Sequence, residues 1–376
     1  MKVKTCISVV IVLQSFILLG QEEDKWISID FQTKYAHDHI KMNNISNYFF
    51  FLHGETHTVE SIPQTKMEFL QYYYNEANVR NFIVEAGYAS AYLLNLYLET
   101  GDERYICKDY NFFSHKEYRE FWRELYEFNS TLTESIKVVG IDDLESTLAW
   151  YKAIEVLFND KRYQSYLKND SIISQIVTIS EKIDDVVNKN DITRKRMNAL
   201  KKAFIFDYKN NPDLYAKILQ QDSIHLRFII QNNVSTERTR FTDKNMYDNL
   251  HRLIKAGEIN EGNFFGQFGS SHVEKFKGSL THYLNDLEGS YFYRKVLTVL
   301  PEYINCNWSS DMIVGDSTVN TIISPLRSKR KKNITSLSTY TYILEELKNK
   351  QKNPNKYTLY VKNKGAMYYD FPEVCD

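Results

Sequence analysis

The segment Asn47–His57, Asn-Tyr-Phe-Phe-Phe-Leu-His-Gly-Glu-Thr-His, constrains this chain more than any other stretch. Tyr48 to Leu52 is an unbroken apolar run, too short for a stable helix and rich in aromatics, as expected of a strand covered on both faces. Gly54 ends the run, and Glu55, Thr56 and His57 follow at once. Pro63 then leads into a helical pattern with Met67, Leu70, Tyr74 and Ala77 on one face. A carboxylate and an imidazole therefore stand where a buried strand gives way to a helix. In open α/β sheets that carboxyl end is where ligands bind.

The same logic recurs along the chain. Asn81-Phe82-Ile83-Val84 ends in Glu85, with Ala86-Gly87 behind it. A helix follows with Leu93, Leu94, Tyr97 and Leu98 on its apolar side, closed by Gly101. Between His115 and Phe128, Tyr118, Phe121, Trp122, Leu125 and Phe128 recur at helical spacing and read as core. Ile136 to Ile141 is a third strand ending in Asp142. Asn263 to Phe268 is another, followed by Gly269-Ser270-Ser271-His272. Tyr291–Leu300 and Tyr357–Val361 read as further strands, with the 366–371 region beside the last, and Trp26 to Asn44 as an irregular lead-in. Strands alternating with helices at this spacing imply an α/β fold, a mostly parallel sheet with helices on both faces. Residues 147 to 255 carry helical windows and no strand-like run, so a large helical insertion or lid is expected there.

The ends of the chain bear on location. Lys2 and Lys4 precede an apolar run from Ile7 to Leu19, and Gly20 precedes the polar Gln21-Glu22-Glu23-Asp24. This pattern reads as a signal peptide over 1–20, leaving an exported domain over 21–376, secreted or periplasmic, with no stable membrane insertion. Export permits disulfides, and Cys306 with Cys375 is the preferred pair, leaving Cys107. A net charge of -1 gives no basis for a nucleic-acid partner. The basic run from Arg327 to Lys332 reads as a solvated loop.

In a parallel sheet the strand ends share one edge, so Glu55, His57, Glu85, Asp142 and His272 are expected in one crevice. Two chemistries fit. A neutral imidazole held by a carboxylate can take a proton from water, as a general base in hydrolysis does. Two histidines and one carboxylate can also hold a divalent metal. The zinc-protease helix motif, the Gly-x-Ser-x-Gly elbow, the P-loop and the dinucleotide fingerprint are all absent from the sequence.

These residues fall into a familiar order. Gly54-Glu55-Thr56-His57, Val84-Glu85-Ala86, Leu94-Asn95-Leu96-Tyr97 with Gly101, Trp122 with Tyr126 and Asn129, and Val139-Gly140-Ile141-Asp142 resemble successive blocks of the erythromycin esterase family. Arg240-x-x-Asp243-x-x-Met246-x-x-Asn249 and Gly269-Ser270-Ser271-His272-Val273 continue the series. One difference stands out: the family usually has two residues between the first Glu and His, where this chain has only Thr56. That shorter form looks more like the ChaN-like haem-uptake and Tiki-type proteins of the same superfamily. The resemblance implies a hydrolase of an ester, lactone or related bond in a small-molecule substrate. It maps His57 to the water-activating base, Glu55 to its carboxylate neighbour, and Glu85 and His272 to the pocket. Asp142 and Arg240 are carried over as substrate contacts. No resident cofactor is expected for hydrolysis. The alternative is a haem- or metal-binding uptake protein using the same cleft without turnover, with His53 or His57 as a haem ligand.

Overall fold

The structure is a computed structural model that describes residues 26–30, 36–106, 115–143, 146–159, 171–181, 191–232, 242–304, 306–314, 318–325, 341–349 and 353–362. The strands in chain order are β1 (Trp26–Asp30), β2 (Phe50–Glu55), β3 (Val79–Val84), β4 (Lys137–Gly140), β5 (Asn263–Gly269), β6 (Val296–Ile304), β7 (Asn307–Val314), β8 (Thr318–Pro325), β9 (Thr341–Asn349) and β10 (Asn353–Lys362). Eight of them form one sheet in the order β1-β9-β10-β6-β2-β5-β3-β4, and β7 pairs with β8 apart from it. From β10 to β4 every neighbouring pair is parallel. Only β9, between β1 and β10, runs antiparallel to its neighbours.

The central strands read as continuous apolar runs because both faces are covered. Phe51, Phe82, Val84, Val138, Phe265 and Leu297 belong to one core. Their alternate neighbours Phe50, Leu52, Ile83, Val139, Phe264 and Val296 belong to the other. Strand side chains alternate in direction, so adjacent residues feed opposite cores. The first core is closed by the helices Ile62–Ala77 and Lys116–Ser130, through Phe69, Tyr73, Phe121 and Trp122. The second takes in the helices between β4 and β5, with Trp150, Ile154, Phe204, Tyr215 and Phe228 buried in it. These helices are Thr147–Asn159, Ser171–Glu181, Asp191–Asn210, Pro212–Leu219, Ser223–Gln231 and Thr242–Lys255. The described parts of the polar-looking segment 147–255 are thus mostly helical, and their apolar stripes extend one face of the sheet.

Two contacts fix the strand ends relative to each other. A Cβ on Gly140 would stand 2.2 Å from the carbonyl oxygen of Gly87, so the end of β4 approaches the turn after Glu85 too closely for any side chain. The Asp142 N–H then donates to Ala86 O at 2.8 Å. On its free edge β4 meets Asn95, whose amide donates to Val138 O and accepts from Val138 N at 2.8 and 2.9 Å. That side chain satisfies backbone groups an edge strand otherwise leaves open.

Several sequence expectations need correction. Trp26–Asp30 is a strand, not an irregular lead-in. It is short, and its partner β9 lies more than three hundred residues away, so no local signal marks it. The strand expected from Tyr291 begins at Val296, because Tyr293 and Lys295 donate backwards to Ser290 O and Phe292 O in turns. It runs on through Pro301 to Ile304. β2 likewise continues past Leu52 to include Glu55 itself. β7, β8 and β9 have no counterpart in the sequence reading, since polar residues interrupt their apolar pattern. Residues 1–20, 366–371, Cys107, Cys375, Arg240 and the basic run from Arg327 lie outside the described residues. Cys306 is buried.

Candidate active site

The parallel order β2-β5-β3 places the ends of three adjacent strands side by side, and the polar residues that follow each apolar run meet there. Glu55, the last residue of β2, is 5% exposed. Its Oε1 lies 2.8 Å from Nδ1 of His57, and its Oε2 is 3.4 Å from Nζ of Lys66. Glu85 follows β3; its Oε2 accepts from the Gly269 N–H at 2.7 Å and stands 4.0 Å from His57 Nε2. Its Oε1 is 3.4 Å from Nε2 of His272. The opposite ring nitrogen of His272, Nδ1, contacts Asp243 Oδ1 at 2.6 Å, and Asp243 Oδ2 accepts from the Leu280 N–H. Cations and carboxylates thus alternate in one line: Lys66, Glu55, His57, Glu85, His272, Asp243.

Charge balance decides the protonation of this line. Three carboxylates and one lysine leave an excess of negative charge that two protonated histidines cancel. The hydrogen bond to Glu55 raises His57 to about 9, assisted by the charge of Glu85 and against the effect of burial. Burial pushes His272 down, but hydrogen bonds to Asp243 and Glu85 outweigh it and lift it to about 10. Burial pushes Glu55 up, while Lys66 and His57 together bring it below the usual carboxylate range. Each shift has a named charged partner, the pattern expected where titratable groups are set for chemistry.

The surroundings order this line without filling it. The Tyr303 hydroxyl accepts from the Thr56 N–H at 3.0 Å, and Ser270 Oγ donates to Glu55 O at 3.0 Å. Together they pin the turn that carries His57 to β6 and β5. Thr58, directly after His57, is held at φ 68, a left-handed backbone that costs a β-branched residue and is tolerated where the surroundings impose it. The His57 side chain is 59% exposed, against 18% for His272. A Cβ on Gly269 would lie 3.1 Å from His57 Nε2, so the glycine keeps that nitrogen open.

Glu55, His57, Glu85 and His272 are therefore brought together as expected from the strand ends. Asp142 sits at the end of the neighbouring β4, 7% exposed, one strand further out. Arg240 falls outside the described residues. Lys66 and Asp243 were missed as site residues. Lys66 could have been found as a lysine on the apolar stripe Ile62, Lys66, Phe69, Tyr73. Asp243 stands within the matched block, but only the fold carries it to His272. His53 is not an accessible ligand: it is 3% exposed, its Nε2 meets the Tyr73 hydroxyl at 2.7 Å, and burial lowers it to about 3. Among the described residues no group of three or more His, Cys, Asp or Glu side chains is disposed to hold a metal ion. No helix among them is long and apolar enough to cross a membrane.

A cavity of about 950 Å³ lies elsewhere, along the edge of β4 and lined by Tyr88, Tyr92, Asn95, His225 and Glu258. Among the charges that line it, Lys137 pairs with Glu258 and Lys152 with Glu155. The convergent chemistry is at the strand ends and not in this cavity.

No family model matches the chain, and no curated protein does. Solved structures do. An erythromycin esterase in an open conformation is 12% identical over 92% of this chain and 98% of its own, with a TM-score of 0.57. A Bacillus cereus protein is 12% identical over 91% and 95%, with a TM-score of 0.57. A succinoglycan biosynthesis protein is 13% identical over 87% and 90%, with a TM-score of 0.54. At such identities the likeness is one of fold alone.

Proposed function

We propose that this chain is an exported hydrolase that cleaves an ester, lactone or related bond in a small molecule, with water activated at His57. The observation that carries this reading is the His57 ring itself. Its Nδ1 is held by a buried, ionised carboxylate, while its Nε2 stands at an open position next to a second histidine and a second carboxylate. The fold shared with an erythromycin esterase agrees with it. Export rests on the charged start and apolar run before Gln21.

In this scheme the neutral His57 takes a proton from water at Nε2 as the water oxygen attacks the carbonyl carbon. The carbonyl electron pair moves onto oxygen, and the imidazolium of His272 is the positive charge beside that oxyanion. The intermediate collapses as the carbon–oxygen bond to the leaving group breaks. His57 returns its proton to the departing alkoxide, giving acid and alcohol and the starting enzyme. Glu55 holds the ring and stabilises its charged form, as the carboxylate of a triad does. His57 is 59% exposed and His272 18%, and His272 is held between two carboxylates, Glu85 and Asp243, so the exposed ring is the one that meets water and the enclosed one is kept as the cation.

The sign of the pH dependence follows. His57 is protonated below about 9, so the fraction able to act as base grows as pH rises through that value. A panel of aryl and alkyl esters and lactones, assayed from pH 6 to 10.5, is expected to show an ascending limb centred near 9. Turnover undiminished in His57→Ala would overturn the reading.

A further inference from the structure

Lys66 is a buried cation that the hydrolytic scheme leaves unassigned. It is the fifth residue of the helix Ile62–Ala77 and only 8% exposed. Lysines are seldom buried to this extent unless paired. Its Nζ stands 3.4 Å from Glu55 Oε2, whereas His57 occupies Oε1 of the same carboxylate. The ammonium also lies 5.2 Å from the centroid of the Tyr118 ring and 5.9 Å from that of Phe121. Those rings, from the helix Lys116–Ser130, close the space around it and favour a cation. With Oε1 hydrogen-bonded to the His57 ring and Oε2 facing the ammonium, the carboxylate is favoured in the orientation that points at the base.

We propose that Lys66 is a positioning residue for His57: its ammonium keeps the Glu55 carboxylate ionised and aimed at Nδ1, and thereby sets the pH at which His57 becomes a base. This rests on the reading of His57 as the water-activating residue. The titratable groups facing the Glu55–His57 pair are Lys66 from its helix, Tyr118 from the helix Lys116–Ser130, Tyr303 from β6, Glu85 after β3 and, beyond Glu85, His272 after β5. Tyr118 and Tyr303 are pushed above the ordinary tyrosine range, chiefly by burial, so both stay neutral throughout the working range. Lys66 is therefore the cation that offsets Glu55 when His57 is neutral.

Two effects of removing it have the same sign. Lys66 repels a proton on His57, and that repulsion disappears in Lys66→Met. Deprotonating His57 in that variant also leaves Glu55 buried without a counter-charge, which disfavours the neutral ring. Both raise the pH at which His57 releases its proton, by about one unit for a nearby charge. Below both midpoints the rate then falls about tenfold per unit, and it recovers at higher pH. A purely structural role for Lys66 would lower activity at every pH without moving the midpoint.

The test is an NMR titration of the His57 ring, assigned by the signal lost in His57→Ala, in wild type, Lys66→Met and Lys66→Arg, beside the pH–rate profile. The midpoint is expected to rise in Lys66→Met and to stay near the wild-type value in Lys66→Arg, which keeps the charge. If Lys66→Met does not fold, Lys66→Gln supplies a polar, uncharged replacement for the same titration. A folded, uncharged variant whose His57 midpoint is unmoved or lowered overturns the proposal. Should the midpoint rise while no ester is hydrolysed at any pH, the Lys66 assignment stands and the hydrolase reading fails.

Discussion

Glu55→Gln is the substitution whose consequences the structure specifies most fully. Glu55 is 4% exposed at its side chain and Lys66 10%, so removing the carboxylate charge leaves a buried ammonium facing an amide. Breaking a buried pair from one side costs about 3–5 kcal/mol, and the amide dipole still faces the ammonium, so the lower end is expected. The second consequence falls on His57. Its bond to Glu55 is the largest cause of the rise to about 9, and without it the ring returns toward 6.5. At pH 7 the neutral fraction of the ring then goes from about one in a hundred to about three in four. Turnover still falls, because the neutral amide no longer stabilises the imidazolium. The deficit relative to wild type is therefore about seventy-fold smaller at pH 7 than at pH 10, where both enzymes carry a neutral ring. Steady-state ester hydrolysis at the two pH values measures this ratio, and urea denaturation measures the stability. A deficit that is the same at both values would refute the role given to Glu55 in setting the basicity of His57.

His57→Ala is expected to lower kcat by about 10²–10⁴-fold with little change in KM, and to lower the urea midpoint at pH 7 more than at pH 10, because the proton that Glu55 holds on His57 stabilises the fold below about 6.5 and ceases to as pH rises through about 9. Asp243→Asn removes the main partner that lifts His272 to about 10. That lifted proton stabilises the fold fully below about 6.5 and ceases to as pH rises through about 10, so the variant should be less stable at pH 7 and nearly indistinguishable above pH 10.5 by denaturant titration. Gly269→Ala puts a methyl 3.1 Å from His57 Nε2. It should depress turnover well beyond its effect on Tm, because the clash is with the tip of an exposed ring.

Local sequence was enough to determine the elements around the site. Apolar runs at Phe50, Phe82, Val138 and Phe264 that stop at a glycine or carboxylate can only be strands buried on both faces, and parallel pairing then puts their ends on one edge. That is why Glu55, His57, Glu85 and His272 are legible in the sequence. Backbone periodicity carries no information about which side chain faces which across the edge. Lys66 and Asp243 lie on helices, one on the apolar face of the first and one in the first turn of the helix before β5. Only packing brings their charges against Glu55 and His272. The same limit hid β1 and β9, whose pairing spans the chain from end to end. Tertiary structure likewise decided the protonation of the site: a histidine beside one carboxylate reads as a neutral base, but two histidines among three carboxylates and a lysine hold their protons until the pH approaches 9.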